Sequence, residues 1–353
     1  MSGSGTFAFT VHPRARLGED LARLWKPLRH LPEAFYDTAL RRLPLPPVTM
    51  AAVRIGGESV GHVVLVPFGA RHLLADIEGG RRRVGLAVDR AVALGADVVG
   101  LGALTATVTA GGATLRERTD IGVTNGNAFT AAIVEDQIRM LLPRVAERAG
   151  RPHIAVVGAS GSVGTAVTKL LARDPAGTRL TLIARTAPRV NALAASVAAD
   201  VEVSVAHTID AVVDADLVVL LTASADALLG AEHVAPGAVV IDATQPRNTS
   251  PRLAVDRPDV LVVDGGIVSI PSLRIMGGDI GLPDGRSYAC FAETAILALT
   301  GHTGHFAVGN PTLDQVDEIR ERAYALRHLG FHAAEPSSFG RPVSLEPRTA
   351  VIA

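Results

Sequence analysis

Residues 153–164 combine an apolar strand pattern with three spaced glycines that can bind a nucleotide phosphate. The run His-Ile-Ala-Val-Val leads directly into Gly158-x-x-Gly161-x-x-Gly164, and residues 165–173 have helical spacing. Gly158 permits a tight turn, Gly161 lets the backbone approach a pyrophosphate, and Gly164 lets helix and strand pack closely. Because the first N–H groups of the helix attract an anion, the pattern predicts a dinucleotide-binding strand–turn–helix unit.

The end of the next predicted strand indicates which dinucleotide is bound. NAD-binding folds usually carry Asp or Glu there for the ribose, whereas this chain has Ala184-Arg185-Thr186. An arginine suits a 2′-phosphate, so NADPH is the predicted cofactor. Further along, Asp264-Gly265-Gly266 follows a predicted strand, and its glycines suit close approach of a nicotinamide. The residues predicted to bind the cofactor are Gly158, Ser160, Gly161, Ser162, Val163, Gly164, Arg185, Thr186, Thr222, Ala223, Gly265 and Gly266.

Cys290 is the only cysteine in the sequence, so no disulfide within the chain is possible. Ser287 is the predicted N-cap of a helix that continues through the apolar residues 294–299, which places Cys290 at N3 in the first turn. The helix dipole favours a thiolate there by about 0.3–1 kcal/mol, so we expect a lowered thiol pKa, opposed by any nearby charge on Glu293. Two interpretations stay open from these residues alone: a nucleophile and a small buried hydrophobic side chain.

Strand and helix patterns alternate after residue 150. Strand-like runs occur at residues 180–184, 201–205, 217–221, 239–242 and 260–263, with helical stretches or turns between them. This alternation predicts an α/β fold whose second part is a Rossmann-type, doubly wound parallel sheet followed by C-terminal helices.

The first 150 residues are predicted to form a separate α/β domain, in which Asn127 caps the last helix. Its predicted elements are short helices within residues 17–43, a hairpin of strands 48–55 and 62–67 around Gly56-Gly57, a helix over 83–94, a strand over 98–104 and a long helix over 129–148. The predicted organisation is a substrate domain over residues 1–150, an NADP(H)-binding domain over 151–280, a C-terminal helical segment with the cysteine over 281–335 and a mobile tail over 336–353.

Composition places the chain among globular proteins and argues against several classes of function. The 353 residues are 48% hydrophobic and 20% charged, and the net charge of −1 gives no basis for binding nucleic acid. No apolar run is long enough to cross a membrane, and the first 16 residues lack the apolar core of a signal peptide, so we expect a cytoplasmic protein. Lys26 and Lys169 are the only lysines, which removes most candidates for a catalytic lysine.

A set of motifs over residues 95–335 is shared with a known enzyme family. The motifs are Leu-Gly-Ala-Leu-Thr at 101–105, Thr-Asn-Gly-Asn-x-x-Thr at 124–130, the glycine turn at 158–164, Ala184-Arg185, Asp-Gly-Gly at 264–266, Ala-Cys-Phe-Ala-Glu at 289–293 and His-x-Gly-Phe at 328–331. On these motifs the sequence resembles the long-chain acyl-[acyl-carrier-protein] reductases, best known from cyanobacteria. The segment around Cys290 is the most specific of them, because the acyl-accepting cysteine of that family lies in it.

The resemblance implies a two-step reduction of a thioester. Cys290 would take the acyl group from acyl-carrier protein or coenzyme A, and NADPH would then deliver hydride and release an aldehyde. The oxyanion needs fixed hydrogen-bond donors, for which Asn127, Thr130 and backbone amides near the helix starts are the candidates. The first domain would hold the acyl chain, and its many Leu, Val and Ala residues suit an aliphatic slot.

Two other functions are compatible with the sequence. A shikimate-dehydrogenase-like reductase shares the two-domain plan but uses a Lys–Asp pair in its first domain, where Lys26 is the one lysine available. A non-catalytic NADPH-binding module, in which Cys290 only packs, would consume no NADPH with any acyl thioester. His302 and His305 have no second cysteine or carboxylate pattern beside them, so they are interpreted as loop histidines and no metal is predicted.

Overall fold

In the computed structural model of the chain, residues 5–13, 26–30, 33–43, 45–224, 227–343 and 345 are described, and residues 17–25 of the predicted N-terminal helices lie outside them. The strands are β1 (Phe7–Val11), β2 (Val48–Ile55), β3 (Glu58–Leu65), β4 (Val98–Leu101), β5 (Gly122–Thr124), β6 (His153–Val157), β7 (Arg179–Ile183), β8 (Glu202–Ala206), β9 (Leu217–Leu220), β10 (Val239–Asp242), β11 (Leu261–Asp264), β12 (Ile267–Ser269), β13 (Arg274–Met276), β14 (Arg286–Tyr288), β15 (His332–Ala333), β16 (Ser337–Ser338) and β17 (Arg341–Pro342). The α-helices are α1 (Glu33–Arg42), α2 (Ala70–Ala75), α3 (Ile77–Ala93), α4 (Leu104–Val108), α5 (Asn127–Ala149), α6 (Ser162–Arg173), α7 (Ala187–Val197), α8 (Pro251–Asp256), α9 (Ala289–Leu299) and α10 (Leu313–Ala325).

The first sheet is mixed and has six strands in the order β13-β2-β3-β1-β4-β5. Its predicted hairpin is confirmed, because β2 and β3 pair antiparallel around Gly56 and Gly57. These glycines have φ values of 63° and 90°, the left-handed conformations that a two-residue hairpin turn needs. Strand β1 lies in the middle of the sheet and pairs in parallel with β3 and β4.

Alternating side chains of β1 bury themselves on opposite faces of the first sheet. Phe7 and Phe9 enter the core formed with α5, α9 and α10, whereas Ala8 enters the core formed with α1, α3 and α4. On the first of these faces, Phe291 of α9 packs edge-to-face against Phe7 and Phe9 with ring centroids 5.3 and 5.1 Å apart. The helix that carries Cys290 is therefore anchored on the first sheet.

The second sheet is entirely parallel and has the order β11-β10-β9-β6-β7-β8. Counted from β6, this is the Rossmann order, in which the order of successive strands reverses between β6 and β9. Five of its strands, β6, β7, β9, β10 and β11, are buried on both faces, as parallel strands covered by helices must be, whereas the edge strand β8 is partly exposed. The predicted α/β class with a Rossmann-type sheet and C-terminal helices is confirmed, and each strand predicted for this sheet agrees with the observed one to within one residue at either end. In the first sheet, the strands predicted over residues 62–67 and 98–104 are observed over 58–65 and 98–101.

The limits of the domains stay a prediction. Strand β13 falls within the range predicted for the NADP(H)-binding domain, yet it pairs antiparallel with β2 and forms an edge of the first sheet. Helix α10 connects the two parts of the molecule, because Asp317 forms an ion pair with Arg173 of α6 at 2.7 Å and Arg320 forms one with Asp136 of α5 at 2.7 Å.

The predicted mobile tail over residues 336–353 is wrong for its first part. Strands β16 and β17 form a hairpin that binds the buried carboxylate of Asp264. The Ser337 hydroxyl donates to Asp264 at 2.8 Å, and the N–H groups of Phe339 and Gly340 donate at 2.9 and 2.8 Å. The remainder of the predicted tail lies almost wholly outside the described residues.

Within the described part of the chain, no helix has both the length and the apolar character needed to span a membrane.

Candidate active site

A cleft of about 1370 Å³ lies between the carboxyl edges of the two sheets. Val11 and Leu65 at the ends of β1 and β3 line it from the first sheet, and Val157 and Leu221 after β6 and β9 line it from the second. Ligands of open α/β sheets bind at this edge. Cys290, the second residue of α9, also lines the cleft.

The glycine turn has the geometry that its spacing predicts. Gly158 has φ of 88°, and a Cβ there would stand 2.6 Å from the carbonyl oxygen of Leu221. A Cβ on Gly164 would stand 2.3 Å from the carbonyl oxygen of Gly158, so only glycine lets α6 pack this closely against the turn. The turn and the first N–H groups of α6 thus leave space for a pyrophosphate at the start of the helix.

Every residue predicted to bind the cofactor lines the cleft except Gly164, which is buried beneath the turn. Arg185 and Thr186 are exposed at the end of β7, and Arg189, one turn into α7, joins them at the cleft. Among the described residues, no carboxylate or carbonyl pairs with the Arg185 side chain. The His207 ring hydrogen-bonds the carbonyl oxygen of Ala184 at 2.9 Å and holds the backbone before Arg185.

The predicted cap of the cysteine helix is wrong. The N-cap of α9 is Tyr288, which gives no side-chain cap, and Cys290 is therefore at N2 rather than N3. The Ser287 hydroxyl instead donates to the carbonyl oxygen of Tyr288 at 3.1 Å. The reason is that residues 286–288 are held extended as β14, paired with β12, so the helix cannot begin earlier.

The predicted lowering of the Cys290 pKa is also wrong. Burial raises the pKa of the Cys290 thiol to about 12, and the nearby negative charge of Glu293 adds to the increase. The backbone N–H groups of Phe291, Cys290 and Ala103 face the sulfur and lower the pKa, but they do not outweigh burial. Cys290 is therefore a thiol in the resting protein, although its side chain is only partly buried and lies at the cleft.

Gly126 and Cys290 are in direct backbone contact. A Cβ on Gly126 would stand 2.2 Å from the Cβ of Cys290, and Gly126 has φ of 75°. Gly126 is also the N-cap of α5, so this helix has no capping side chain of its own. The predicted cap, Asn127, is instead the first residue of the helix, because only glycine fits at the position in contact with the cysteine.

Glu293 takes the place of the missing cap from the neighbouring helix. Its fully buried carboxylate accepts from the N–H of Phe129 at 2.7 Å and from the Thr124 hydroxyl. The N–H groups of Gly126 and Ala128 also face it. Burial raises the pKa of Glu293 to about 7 although these hydrogen bonds act in the opposite direction. The carboxylate of Glu293 thus connects the motif at 289–293 to the motif at 124–130 through hydrogen bonds.

The two predicted oxyanion donors lie at the cleft but differ in what their polar groups contact. The Asn127 amide donates to the Ser162 hydroxyl at 2.9 Å, and Ser162 in turn donates to the carbonyl oxygen of Gly309 at 3.0 Å. Asn127 therefore connects α5 to the first residue of α6. The Thr130 hydroxyl donates to the carbonyl oxygen of Gly126 at 2.7 Å, so its one hydrogen is already used within the helix.

Gln137 fixes the predicted nicotinamide turn, a role that the sequence does not indicate. Its buried amide accepts from the N–H of Gly266 at 2.9 Å and donates to the carbonyl oxygen of Asp264 at 3.1 Å. The carbonyl oxygen of Gly266 accepts from the N–H of Ala289 at 2.9 Å. The turn after β11 is thereby connected to the residue that precedes Cys290.

Ala103 has a strained backbone that the sequence also does not indicate. Its φ of 48° and ψ of −122° are conformations that non-glycine residues adopt at a cost of about 1–3 kcal/mol. The next residue is held by His12 at the end of β1, whose Nε2 accepts from the N–H of Leu104 at 3.3 Å. Strain that is maintained in this way at a cleft indicates a functional constraint on the backbone.

His302 and His305, the pair that could suggest a metal site in the sequence, contact backbone and aromatic groups instead. His305 accepts from the N–H of Val123 at 3.1 Å through Nδ1, and its Nε2 hydrogen-bonds the carbonyl oxygen of Arg116 at 2.9 Å. The His302 ring packs edge-to-face on Phe306. In the part of the chain that the structure covers, no group of three or more His, Cys, Asp or Glu side chains is arranged to hold a metal ion.

Comparison with known proteins finds one family model and partial relatives. The model of the semialdehyde dehydrogenase NAD-binding domain matches residues 153–263. The chain is 28% identical over 298 residues to the aminotransferase PigE of a Serratia species, a match that covers 82% of the chain and 34% of PigE. It is 25% identical over 212 residues to a long-chain acyl-[acyl-carrier-protein] reductase of Synechococcus elongatus, covering 58% of the chain and 60% of that protein.

Among solved structures, the chain is similar to Escherichia coli YhdH with bound NADPH, at 19% identity and a TM-score of 0.27 over 38% of this chain and 42% of that one. The chain spans about a third of PigE and about three-fifths of the reductase. The family match and the glycine turn together show that the second sheet is an NAD(P)-binding domain, so the chain has the fold of a nicotinamide-dependent oxidoreductase.

Proposed function

We propose that the chain reduces fatty acyl thioesters to aldehydes with NADPH, through an acyl group held on Cys290. The observation that carries this proposal is that Cys290 lines the same cleft as the glycine turn and is connected through Ala289 to Gly266. A carbon atom bonded to the sulfur would thus lie close to the turn expected to hold the nicotinamide. The partial similarity to the acyl-[acyl-carrier-protein] reductase supports the same chemistry.

The residues at the cleft fit NADPH. The close contacts that a Cβ on Gly158 or Gly164 would make support a turn shaped for a pyrophosphate. The exposed Arg185, with Arg189 beside it, supports a 2′-phosphate rather than a free ribose hydroxyl. When bound, NADPH supplies the hydride, and the chain's own residues hold the acyl carbon.

The overall reaction consumes one thioester, one NADPH and one proton, and it yields an aldehyde, a free thiol and NADP⁺. In the first step the Cys290 sulfur bonds the acyl carbon, the bond to the donor sulfur breaks, and the Cys290 proton leaves on the donor thiol. One thiol replaces another, so the number of thiol protons does not change. The overall balance therefore contains no separate base, even though the pKa of Cys290 is raised. In the second step the acyl carbon accepts hydride, its bond to the Cys290 sulfur breaks to release the aldehyde, and the sulfur takes up the one proton to become a thiol again.

An aliphatic slot in the cleft supports a fatty acyl substrate. The side of the cleft formed by the first sheet carries many apolar side chains, and the polar residues Asn127 and Thr130 line the same cleft as Cys290. We propose acyl-carrier protein or coenzyme A as the donor of the acyl group. The apolar lining includes Phe9, Val11, Met50, Leu65, Leu74, Leu104 and Ile280.

No lysine lines the cleft, so the structure does not favour a lysine-dependent reaction. An aminotransferase binds pyridoxal phosphate as a Schiff base with lysine, and a shikimate-dehydrogenase-like enzyme needs a Lys–Asp pair. Lys26 and Lys169 are the only lysines, both are exposed, and neither lines the cleft. We therefore do not propose the activity named for PigE, of which the chain matches only 34%.

The raised pKa of Cys290 favours one second candidate, a protein that binds NADPH without catalysis and in which Cys290 only packs. The two candidates differ in a covalent step. The protein is mixed with palmitoyl-CoA alone, and mass spectrometry should show one added acyl group on the peptide that contains Cys290. Adding NADPH should remove the group as hexadecanal.

Cys290→Ala should show neither adduct nor turnover while binding NADPH as the unmodified protein does. Turnover that survives in Cys290→Ala would exclude the acyl-enzyme mechanism. Absence of both adduct and NADPH oxidation across a panel of acyl-CoA lengths and acyl-carrier-protein thioesters would favour the non-catalytic protein.

A further inference from the structure

We propose that the backbone N–H of Ala103, with the N–H groups of Cys290 and Phe291, forms the oxyanion hole of the reaction, and that His12 is its positioning residue. The inference rests on the proposed function. It assigns the oxyanion to three backbone amides at the cysteine, including one from a separate loop, rather than to the side chains of Asn127 and Thr130.

The first observation is the location of the three amides. Cys290 and Phe291 are the second and third residues of α9, whose first N–H groups have no partner within the helix. The N–H of Ala103 reaches the same sulfur from the loop after β4. Ala103 is exposed in the cleft, so an acyl oxygen beside the sulfur can replace the sulfur as acceptor.

The second observation is that the neighbours of Ala103 are fixed while its own N–H has no backbone acceptor among the described residues. The N–H of Gly102 donates to the carbonyl oxygen of Thr10 at 3.0 Å. The hydroxyl of Thr105 donates to the carbonyl oxygen of Gly102 at 2.8 Å. His12 accepts from the N–H of Leu104 at 3.3 Å, so both peptide groups that flank Ala103 are held.

The third observation is the strained conformation of Ala103. Ala103, the residue before α4, has φ of 48° and ψ of −122°, and its N–H faces the Cys290 sulfur. His12 holds the peptide that follows, and its Nδ1 hydrogen-bonds the carbonyl oxygen of Pro13 at 2.8 Å. Because Nε2 accepts from an N–H group, Nδ1 carries the ring hydrogen in the neutral imidazole.

These donors match the charge that the reaction creates. As the sulfur bonds the acyl carbon and gives up its proton, negative charge develops on the carbonyl oxygen. The same oxygen is charged again when hydride adds to the acyl carbon. Donors fixed near the sulfur therefore stabilise both tetrahedral species without rearranging. The Thr130 hydroxyl cannot do this without giving up its bond to Gly126.

Removing the Ala103 N–H alone tests the assignment. Ala103 is replaced by L-lactic acid through nonsense suppression, which keeps the side chain and changes the amide to an ester. Acylation of Cys290 by palmitoyl-CoA should slow by about 10²–10³-fold, the loss typical of one oxyanion donor, with NADPH affinity unchanged. The matched control is the same replacement at Ala96, whose N–H donates to the carbonyl oxygen of Ala91 at 3.1 Å, since neither residue lines the cleft.

His12 variants test the positioning role. His12→Leu should lower kcat and leave the KM for palmitoyl-CoA unchanged, and His12→Gln, which retains an acceptor, should restore most of the kcat. If the ester at Ala103 or His12→Leu is acylated at the rate of the unmodified protein, the corresponding part of the inference is wrong. If the unmodified protein forms no Cys290 adduct at all, the proposed function itself fails and this inference fails with it.

Discussion

The Cα hydrogen of Gly126 occupies the space where any other residue would place a Cβ 2.2 Å from the Cβ of Cys290. This contact holds the start of α5 against the start of α9. It also explains why α5 has no capping side chain and depends on Glu293. Gly126 thus determines where Cys290 lies. Because it supplies no capping side chain, the start of α5 is capped by the buried carboxylate of Glu293.

Gly126→Ala should therefore destabilise the protein and displace Cys290. The positive φ adds about 1–2 kcal/mol and the overlap with Cys290 about 1–3 kcal/mol, so we expect the free energy of unfolding in urea to fall by about 3 kcal/mol. Gly95→Ala is the matched control, because Gly95 also has φ of 75° but has no atom within 4 Å of the added Cβ. Equal losses of unfolding free energy in Gly126→Ala and Gly95→Ala would show that the contact with Cys290 does not affect the stability of the protein.

The sequence predicts the local features of this molecule well and the contacts between its parts poorly. The predicted glycine turn and the strands after it are confirmed, because the spacing of residues within a single segment is enough to predict them. From the sequence, Glu293 is only a charge near Cys290, because nothing in the residues around it shows that α5 begins beside it. The sequence-based expectation for the pKa of Cys290 weighs the helix dipole against a charge on Glu293, and it omits the burial that dominates.

The strand at the beginning of the chain cannot be predicted from the sequence for a related reason. Residues 7–11 form the central strand of the first sheet, but five residues that follow a polar start give too short a pattern to be distinguished from a loop. The partners of β1 lie about 50 and 90 residues later in the chain, at Gly61 and Val98. A pattern within one segment of the sequence does not indicate either of these pairing strands.

Glu293 should make the stability of the protein depend on pH. Its pKa is about 7 in the folded protein, above the ordinary value of 4.5, so between these values the folded state binds more protons than the unfolded state. The free energy of unfolding should therefore fall as pH rises from 4.5 to 7, by about 3 kcal/mol from this group, and level off above 7. Urea titrations at pH 5, 6, 7 and 8 measure the slope.

Glu293→Gln should remove this contribution to the slope, because glutamine does not titrate. The control is Glu321→Gln on the exposed face of α10, which should retain the slope of the unmodified protein. A Glu293→Gln profile that runs parallel to that of the unmodified protein would contradict the assignment.

Arg185 should distinguish NADPH from NADH. One charge-assisted contact to the 2′-phosphate contributes about 1.5–3 kcal/mol, so Arg185→Gln should weaken NADPH binding about ten- to a hundredfold. NADH affinity should not change, because NADH has no phosphate at this position. Calorimetric titration of both cofactors measures the difference. Arg252→Gln, at an exposed arginine of α8 that pairs with Asp256, should leave both affinities unaltered; similar affinities for both cofactors in the unmodified protein would rule out the role of Arg185.

Alkylation should report the raised pKa of Cys290. With a thiol pKa of about 12, the thiolate fraction grows about tenfold for each pH unit throughout the range from 7 to 10. The rate of iodoacetamide modification should rise in the same proportion, and since the chain has one cysteine the measured mass gain reports this residue alone. A rate that reaches a plateau below pH 9 would mean that the amides of Ala103 and α9 outweigh burial.

Acyl-chain length should govern the efficiency of the proposed reaction. Each methylene buried in the apolar part of the cleft contributes about 0.8 kcal/mol, so kcat/KM should rise about fourfold per methylene until the slot is filled. Ala106, on α4 at the cleft wall, is mostly buried, and Ala106→Trp should fill part of the slot and move the optimum to shorter chains. Ala113→Trp, at an exposed position outside the cleft, is the control and should keep the original optimum. The measurement is NADPH oxidation with acyl-CoA substrates from C2 to C18, and equal efficiency for acetyl-CoA and the long chains would contradict an aliphatic slot.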